Sequence, residues 1–538
     1  MKQAVLQLSS IWGSAWRWTR IRTYRVSEFI YESYTSVQLI NTLRIILVAL
    51  VAAALVQLVI GSEVVSRELF GIKISVLDQG LVLLLMFAVI ILPWLIINPL
   101  WIAVTVMTMM LSIVTWEVWY RSRRMGLSPT DMLLWLGMLM IFAHQSYRFD
   151  WRRTALNSIT SVALVYYIIV AGVVPTVYAT QYLDISPPSV WRVTSVFQCW
   201  LLYFIIAGFA KDAKGLRVVL NTVMTLGVIT ALATVMQSAF AQQLSWFRYI
   251  FIGIISMEEQ GGVIRVMPPG LLLMVLAFCI CYYMYIHASS HTVAARMLGL
   301  CLVLTAGMII TMTRHVWLGA FIVFVVVSIS GGVKGITKAI ALLLICIVFL
   351  MAFSSVYKST SVVASKDLFS SILDRLEVTK TEDPLSRRGS LGDRVREIDL
   401  MRPQWEKSKL LGIGVGKPYS YKGQYNIAYG RVIKMPYTYV HNMLWAVLGY
   451  TGLLGLSGVA VLYFVSLGRG IYIYMVDRKA QFRGMTLCSV ATLFAFGVST
   501  LVQPLVFEPN SILVMSLCLA IPEVTHIVNK QQRVAEAA

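Results

Sequence analysis

Apolar segments of about 20 residues recur along almost the whole chain, and they constrain its fold more than any other feature. A helix that crosses the hydrocarbon core of a bilayer needs about 20 mainly apolar residues. Fourteen segments approach that length, although 131–146 and 296–311 are short enough to be half-helices. The sequence therefore predicts an all-α polytopic membrane protein with about 12–14 transmembrane helices. The fourteen segments are residues 43–61, 79–97, 100–118, 131–146, 156–178, 194–210, 218–240, 268–286, 296–311, 315–330, 336–353, 444–466, 485–503 and 511–527.

The composition agrees with this class and argues against a nucleic-acid partner. Hydrophobic residues make up 58% of the 538 residues and charged residues only 13%, whereas a soluble protein carries about 25% charged residues. The net charge of +20 comes from short basic clusters between the apolar spans, as the positive-inside bias and anionic lipid headgroups require. All seven cysteines lie in or beside apolar spans, so we expect neither a disulfide framework nor a zinc site.

The distribution of Lys and Arg predicts that both termini are cytoplasmic. Seven basic clusters fall on one face under this assignment, and one cluster, formed by Arg121, Arg123 and Arg124, falls on the other. The predicted domains are a cytoplasmic interfacial arm at 1–42, transmembrane helices at 43–353, an extracytoplasmic loop module at 354–440, transmembrane helices at 441–528 and a cytoplasmic tail at 529–538.

The loop module is the one long polar interruption of the chain. Between Ser354 and Tyr439 it carries 15 Lys/Arg and 9 Asp/Glu. We expect an irregular stretch over Ser354–Lys366 and a helix over Asp367–Glu377. A second, amphipathic helix is predicted from about Leu391 to Lys409, with Ser390 or Asp393 as its N-cap and a bend or restart at Pro403. Its apolar side would contain Val395, Ile398, Met401 and Trp405, and its polar side Arg394, Arg396, Glu397 and Glu406.

A glycine-rich turn and several tyrosines complete the module. Gly412, Gly414 and Gly416 precede Lys417, but the Ser/Thr of a phosphate-binding loop is missing and no strand–loop–helix unit surrounds the turn. We therefore expect a tight turn that needs positive φ. The tyrosines that follow are typical of an interfacial belt or of a surface on which sugars stack.

The topology brings four ionisable residues to the outer face beside this module: Arg265, Arg314, His441 and Glu508. Charges at span ends commonly anchor a protein at the headgroups, but here four converge on one side. Arginine binds phosphate oxygens in a fork, and histidine exchanges protons near neutral pH. Together they suit the attack of a hydroxyl on a carbon whose leaving group is a phosphate. The sequence has no His-Glu-x-x-His and no Asp-x-Asp element, so we expect no metal and no other cofactor.

Four short elements, in order, resemble the O-antigen ligase and O-antigen polymerase superfamily. The most specific runs from Tyr439-Val-His441-Asn442 into a helix that contains Gly452-Leu-Leu-Gly455. Arg265-Val-Met-Pro-Pro-Gly270 is similar to the Arg-then-Pro segment of the family, and Thr313-Arg314 to its Ser/Thr-Arg element. Asp393-Arg394, followed by Trp405 and Leu411-Gly412-Ile-Gly414, resembles the family's loop pattern. The Met-Pro-Pro of the first segment and the His after Arg314 depart from that pattern.

The resemblance implies a metal-independent, GT-C-like, inverting glycosyltransferase in the bacterial inner membrane. Its active site would face the periplasm, and it would move a glycan from an undecaprenyl-pyrophosphate carrier to an acceptor glycan or lipid A core. His441 would be the base or would orient the acceptor, and Arg265 and Arg394 would hold the pyrophosphate. Further substrate-binding candidates are Arg314, Glu508, Arg388, Tyr439 and Asn442.

Alternatives remain open at this point. A lipid-linked oligosaccharide transporter or flippase would carry ionisable groups near the bilayer midplane, where these spans have almost none. A scaffold would tolerate loss of His441 but not disruption of the apolar face around Val395, Ile398 and Trp405. The sequence does not separate a ligase from a polymerase, because the two share these motifs and differ in the acceptor.

Overall fold

The computed structural model describes most of the chain from residue 99 onward. The described residues are 99–111, 129–148, 155–182, 196–240, 258–260, 263–360, 368–381, 389–414, 417–426, 431–437, 440–477, 482–501 and 503–537. The predicted arm at 1–42, the spans 43–61 and 79–97, and the cluster Arg121, Arg123 and Arg124 lie outside them.

Helices dominate the described part of the chain. They are α1 (Leu100–Leu111), α2 (Pro129–Arg148), α3 (Ile159–Tyr167), a π-helical segment (Ile168–Val173), α4 (Val174–Tyr182), α5 (Leu201–Phe209), α6 (Ala213–Ala239), α7 (Leu271–His287), α8 (His291–Ile310), α9 (Arg314–Ser330), α10 (Gly332–Thr360), α11 (Leu368–Thr381), α12 (Gly389–Lys407), α13 (Met443–Val476), α14 (Arg483–Ser499) and α15 (Pro509–Ala537), with short 3-10 helices at Ala155–Asn157 and Leu505–Phe507.

Two short antiparallel hairpins accompany the helices. Strands β1 (Glu258–Gln260) and β2 (Val263–Arg265) pair with Glu258 opposite Arg265. Strands β3 (Ser420–Asn426) and β4 (Arg431–Tyr437) pair from Ser420 opposite Tyr437 to Asn426 opposite Arg431. The second hairpin contains the tyrosine-rich stretch, and aromatic and β-branched residues favour strands. The sequence analysis relied on helical periodicity and predicted neither hairpin.

The fold class predicted from sequence is confirmed: the protein is an all-α polytopic membrane protein. Six helices in the described ranges are long and apolar enough to cross a bilayer, and six shorter apolar helices accompany them. The six long spans are Ile159–Gln181, Ala213–Ala239, His291–Ile310, Gly332–Ser355, Met443–Val476 and Pro509–Val534. The 296–311 segment is thus part of a 20-residue helix, α8, and not a half-helix.

Consecutive helices alternate in direction, and this gathers one set of helix ends around His441. Helix α14 packs against α9, α13 and α15, while α7 packs against α6 and α8. The Ser238 hydroxyl at the end of α6 lies 2.7 Å from the Tyr357 hydroxyl near the end of α10. The Met443 amide that begins α13 donates to the Thr500 carbonyl just after α14. We call this side of the bundle the His441 end; α7, α9, α13 and α15 begin there.

Buried polar contacts connect α3, α13 and α15 away from the His441 end. Glu523 of α15 is 3% exposed and accepts hydrogen bonds from Arg469 of α13 at 3.2 Å and from Thr160 of α3 at 2.7 Å. A buried carboxylate is stable only when it has hydrogen-bond partners. Glu523 therefore links α3, α13 and α15 through these contacts.

A second cluster lies at the end opposite His441, where α13 stops at Asp477. His526 and Asn529 of α15 approach the Asp477 carboxylate at 3.1 and 3.2 Å, and Arg533 pairs with it as well. Burial pushes the pKa of Asp477 upward, but the hydrogen bonds from His526 and Asn529 and the nearby positive charges outweigh it, so the pKa falls below its ordinary value. The ionised carboxylate therefore stabilises the junction between α13 and α15.

Several local predictions need correction. Helix α10 continues to Thr360, so residues 354–360 are not irregular. Helix α12 begins at Gly389, which places Ser390 and Asp393 inside its first two turns and not at an N-cap. The helix also runs through Pro403: the proline is exposed, so the carbonyl that loses its helical partner there faces solvent and need not bend the helix. At the C-terminus, α15 continues to Ala537 and includes most of the segment 529–538; the placement of that segment as a cytoplasmic tail stays a prediction.

Candidate active site

His441 lies in the short connection between β4 and α13, and the start of that helix is held on both sides. Asn442 is the N-cap of α13: its side-chain oxygen accepts a hydrogen bond from the Trp445 amide at 3.2 Å. The Asn442 side-chain amide donates to the Leu501 carbonyl at 3.1 Å. A capping residue satisfies an amide that the helix itself leaves open, and here the same side chain also ties α13 to the end of α14.

A carboxylate from α12 holds the His441 imidazole. The Nδ1 atom of His441 lies 2.7 Å from Oε1 and 3.0 Å from Oε2 of Glu397. The His441 backbone amide donates to Oε2 of the same carboxylate at 2.8 Å. Because an ionised carboxylate only accepts hydrogen bonds, Nδ1 carries a proton. In the neutral ring Nε2 is then the atom that can accept one.

The two partners differ in exposure in the way a base and its orienting group do. The Glu397 side chain is 11% exposed and the His441 side chain 45%. The carboxylate is therefore enclosed, while the imidazole is open to an incoming molecule.

Packing behind the pair brings α12 against α13. Met401, one helical turn after Glu397, is completely buried and belongs to a small core cluster with Tyr419, Val440 and Tyr450. A Cβ atom at Gly449 of α13 would overlap the Met401 side chain. The absence of a side chain at Gly449 thus allows the two helices to approach closely.

The apolar face predicted for α12 is rotated in the structure. Val395 is 41% exposed and Glu397 is 8% exposed, the reverse of the prediction. The ring and the backbone amide of His441 provide the hydrogen bonds that a buried carboxylate requires. Sequence reasoning placed Glu397 on the polar side of the helix and gave it no role, because the partner that makes its burial favourable lies 44 residues away.

The predicted positive-φ turn is confirmed at Gly412 and Gly414, whose φ angles are 68° and 86°. The turn is not built as a phosphate loop. Its amides at Ile413 and Gly414 donate to the Gly449 and Tyr450 carbonyls of α13 at 2.8 and 3.1 Å, so they are used inside the protein.

Two arginines singled out in the sequence lie on elements of the His441 end. Arg394 is half-buried on α12, three residues before Glu397 and hence on the same face. Arg314 is the first residue of α9. Its neighbour His315 accepts a hydrogen bond through its carbonyl from Ser499 at 3.1 Å, next to the Thr500 carbonyl that receives the Met443 amide.

The remaining candidates fall into two groups. Glu508 precedes α15 and accepts from Gln503 at 2.5 Å and Ser511 at 2.9 Å, so each carboxylate oxygen has a partner in its own segment. Arg265 ends β2, which packs against α6 and leads into α7; the structure describes its backbone but not its side chain. Arg388 and Tyr439 lie outside the described residues.

An apolar cavity of about 190 Å³ begins at the first residue of α13 and extends between α3, α13, α14 and α15, with Trp200, the residue before α5, also in its wall. Met443 and Thr500 line the part of the cavity near the His441 end. Leu462, Phe464 and Leu493 line the part farther from it. An engineered apolar cavity of about 150 Å³ holds benzene, so this space admits a segment of hydrocarbon chain. It starts two residues from His441.

Within the described ranges no three His, Cys, Asp or Glu side chains are grouped as metal ligands would be. The described ionisable side chains at the His441 end include His441, His315, Glu397, Glu508, Arg314 and Arg394.

A family comparison covers the middle of this arrangement. Residues 298–460 match the family model described as O-antigen ligase, which confirms the resemblance read from the sequence over that segment. Arg314, Arg394, Glu397, His441 and Gly452 lie inside the matched residues, and Arg265 and Glu508 lie outside. No curated protein matches the chain. The match supports glycosyl transfer of the O-antigen ligase or polymerase type, with a lipid-linked glycan and an acceptor as the general substrates.

Proposed function

We propose that this membrane protein of the O-antigen ligase type transfers a glycan from an undecaprenyl-pyrophosphate carrier to an acceptor hydroxyl at the outer face of the bacterial inner membrane. It would be a metal-independent, GT-C-like, inverting transferase, with both termini in the cytoplasm. The observation that carries the proposal is the Glu397–His441 pair, an enclosed carboxylate behind an open imidazole at one end of a membrane bundle.

The pair has the arrangement of a general base. Nε2 of His441 accepts the proton of the acceptor hydroxyl as its oxygen bonds to the anomeric carbon, while the bond from that carbon to the pyrophosphate oxygen breaks. Glu397 holds the ring through Nδ1 and stabilises the imidazolium that forms, as the buried carboxylate of a catalytic triad does. The carrier pyrophosphate departs with the bonding electrons.

Arginines would bind the negatively charged pyrophosphate as it leaves. Arg394 shares the Glu397 face of α12, and Arg265 and Arg314 lie on elements that lead into helices starting at the His441 end. A guanidinium remains charged at any physiological pH and binds phosphate oxygens in a fork. Arg388 and Tyr439 are proposed as further substrate contacts from their sequence positions. Asn442 and Glu508 would act mainly by holding the helix starts that frame the site, given their hydrogen bonds.

The apolar cavity supports a lipid-linked donor. Since it begins at Met443 and continues between transmembrane helices, it would take the isoprenoid chain of the carrier while the pyrophosphate stays near His441. Because the chain would enter from lipid that is equally apolar, packing contacts with the cavity walls would hold it there.

A transporter is less well supported. The buried Arg469–Glu523 pair is the kind of intramembrane charge a transporter uses. Thr160, however, which also bonds Glu523 at 2.7 Å, is the second residue of α3. The pair therefore lies near one end of that span and not at the midplane.

The test is transfer by the purified protein in proteoliposomes, supplied with a lipid-linked glycan and a candidate acceptor. We expect elongated or transferred glycan and released carrier pyrophosphate, with the rate unchanged by EDTA. A matched control is His291→Ala, an exposed histidine at the opposite end of the bundle, which should transfer normally. Translocation of the lipid-linked glycan without any transfer would replace this proposal with the transporter. Acceptor preference, and glycan profiles of a strain lacking the protein, would separate ligase from polymerase.

A further inference from the structure

Helix α13 is broken at Gly452, nine residues after its start. Gly452 has φ 66° and ψ −164°, a conformation no helix contains. The two amides that follow the break lose their helical partners and bond elsewhere: Leu453 donates to the Lys409 carbonyl at 2.9 Å and Leu454 to the Leu410 carbonyl at 3.1 Å. The break is thus filled by the segment that follows α12.

The same segment also satisfies the carbonyls before the break. Ile413 donates to the Gly449 carbonyl at 2.8 Å and Gly414 to the Tyr450 carbonyl at 3.1 Å. Four backbone hydrogen bonds therefore join residues 409–414 to the interrupted helix, two on each side of Gly452. We call this joint the splice.

Glycine is required at both sides of the splice. A Cβ atom at Gly452 would overlap the Leu410 carbonyl, and one at Gly412 would lie 2.5 Å from the Tyr450 carbonyl carbon. Both residues also have φ near +67°, at 66° and 68°, where an L side chain is strained. The chain thus keeps two glycines at backbone-to-backbone contacts that no side chain permits.

The splice connects the two elements that carry the proposed catalytic pair. Glu397 is on α12, which ends just before the splice, and His441 is beside the short first half of α13, which ends at it. Met401 and Gly449 form the side-chain contact between these two pieces. Because Gly452 interrupts the helical hydrogen bonds of α13, residues 443–451 depend for their position on α12 and the segment after it, together with the end of α14.

We propose that the splice is a positioning device: Gly452 and Gly412 lock α12 to the first half of α13 and so set Glu397 against His441. This inference rests on the proposed function of that pair. Gly452 and Gly412 are positioning residues and touch no substrate. Loosening the splice should separate carboxylate from imidazole while leaving the donor-binding cavity intact.

Two variants loosen the splice in different ways. Gly452→Ala strains the break. Leu453→Pro removes only the amide that bonds to Lys409; Leu453 begins the second half of the helix, where proline is tolerated, and its side chain is 48% exposed. The matched control is Gly468→Ala on the same helix, where a Cβ meets no atom within 4 Å.

The kinetic test is a double-mutant cycle with Glu397→Gln. Each splice variant should lower kcat at least tenfold with the donor KM within about threefold, and should cause no further loss when Glu397 is already Gln, because coupled sites are non-additive. Fully additive losses, or splice variants as active as Gly468→Ala, would overturn the proposal.

A positional readout works without activity. Cysteines replacing Glu397 and His441 should be joined rapidly by a short bis-methanethiosulfonate reagent in the otherwise native protein and at least fivefold more slowly with Leu453→Pro. Equal rates would show that the splice does not set this distance. Slowed crosslinking with Leu453→Pro, together with no glycan transfer by the protein that keeps Glu397 and His441, would uphold the splice and reject the proposed function instead.

Discussion

Glu397 Oε1 lies 2.7 Å from His441 Nδ1, and Oε2 of the same carboxylate accepts the His441 backbone amide at 2.8 Å. One side chain thus fixes both the backbone and the ring of the histidine. Rotation of the imidazole about its side-chain torsions would break the Nδ1 contact, so the ring presents Nε2 in a constant direction.

Glu397→Gln should lower the transfer rate about 100-fold, the lower end of what general base catalysis contributes. The amide keeps the size of the side chain but removes the charge that stabilises the imidazolium. Glu406→Gln on the same helix is the control, since Glu406 pairs only with Arg402 at the surface among its observed contacts. Initial rates of purified variants in proteoliposomes measure the difference, and equal rates for the two variants would remove Glu397 from the mechanism.

Arg394→Ala should weaken binding of the donor pyrophosphate. A charge-assisted hydrogen bond contributes about 1.5–3 kcal/mol, so kcat/KM for the lipid-linked donor should fall roughly 10- to 100-fold. Arg396→Ala, two residues further along α12 and exposed, should leave it nearly unchanged. Parallel losses in both variants would indicate a general effect of positive charge and not a contact made by Arg394.

Ala460→Trp should fill the apolar cavity, which Ala460 lines. We expect the KM for a donor with a long isoprenoid chain to rise at least fivefold, with little change for a donor whose chain is too short to enter. The neighbouring Val461, 38% exposed, supplies the control Val461→Trp. An Ala460→Trp variant that treats long and short donors alike would show that the chain binds elsewhere.

Asp477 should make the stability of the bundle depend on acid pH. Its pKa is lowered in the folded protein from an ordinary 3.8, so the carboxylate stabilises the fold fully above that value. This stabilisation is lost as pH falls through the lower, folded-state pKa. In detergent, the Tm of the wild type should therefore drop below about pH 4, and Asp477→Asn should lose about 2 kcal/mol at neutral pH and respond less to acid. A Tm that is the same in the two proteins at neutral pH would contradict this.

The membrane architecture could be predicted from the sequence because burial in lipid leaves a signal in every span. Runs such as 218–240 and 336–353 correspond to α6 and α10. Local backbone chemistry was also readable: the glycine-rich turn demanded positive φ, and Gly412 has it. His441 was identified through its motif at the start of α13.

Features that depend on contacts between distant residues could not be predicted. Glu397 is buried against a histidine 44 residues further along, and helical periodicity assigned its place to Val395. The break at Gly452 is invisible in an apolar run, because its stability comes from carbonyls and amides of residues 409–414. Strand pairing between Ser420–Asn426 and Arg431–Tyr437 was not predicted either, because the tyrosines of this stretch are also typical of an interfacial belt.

The most direct measurement is transfer by purified His441→Ala, with and without added imidazole. The His441 side chain is 45% exposed, so a small base can reach the space it leaves. We expect the rate to fall at least 100-fold and imidazole to restore part of it, with less restoration when Glu397 is also Gln. Transfer within threefold of the wild-type rate in His441→Ala would contradict the assignment of His441 as the base.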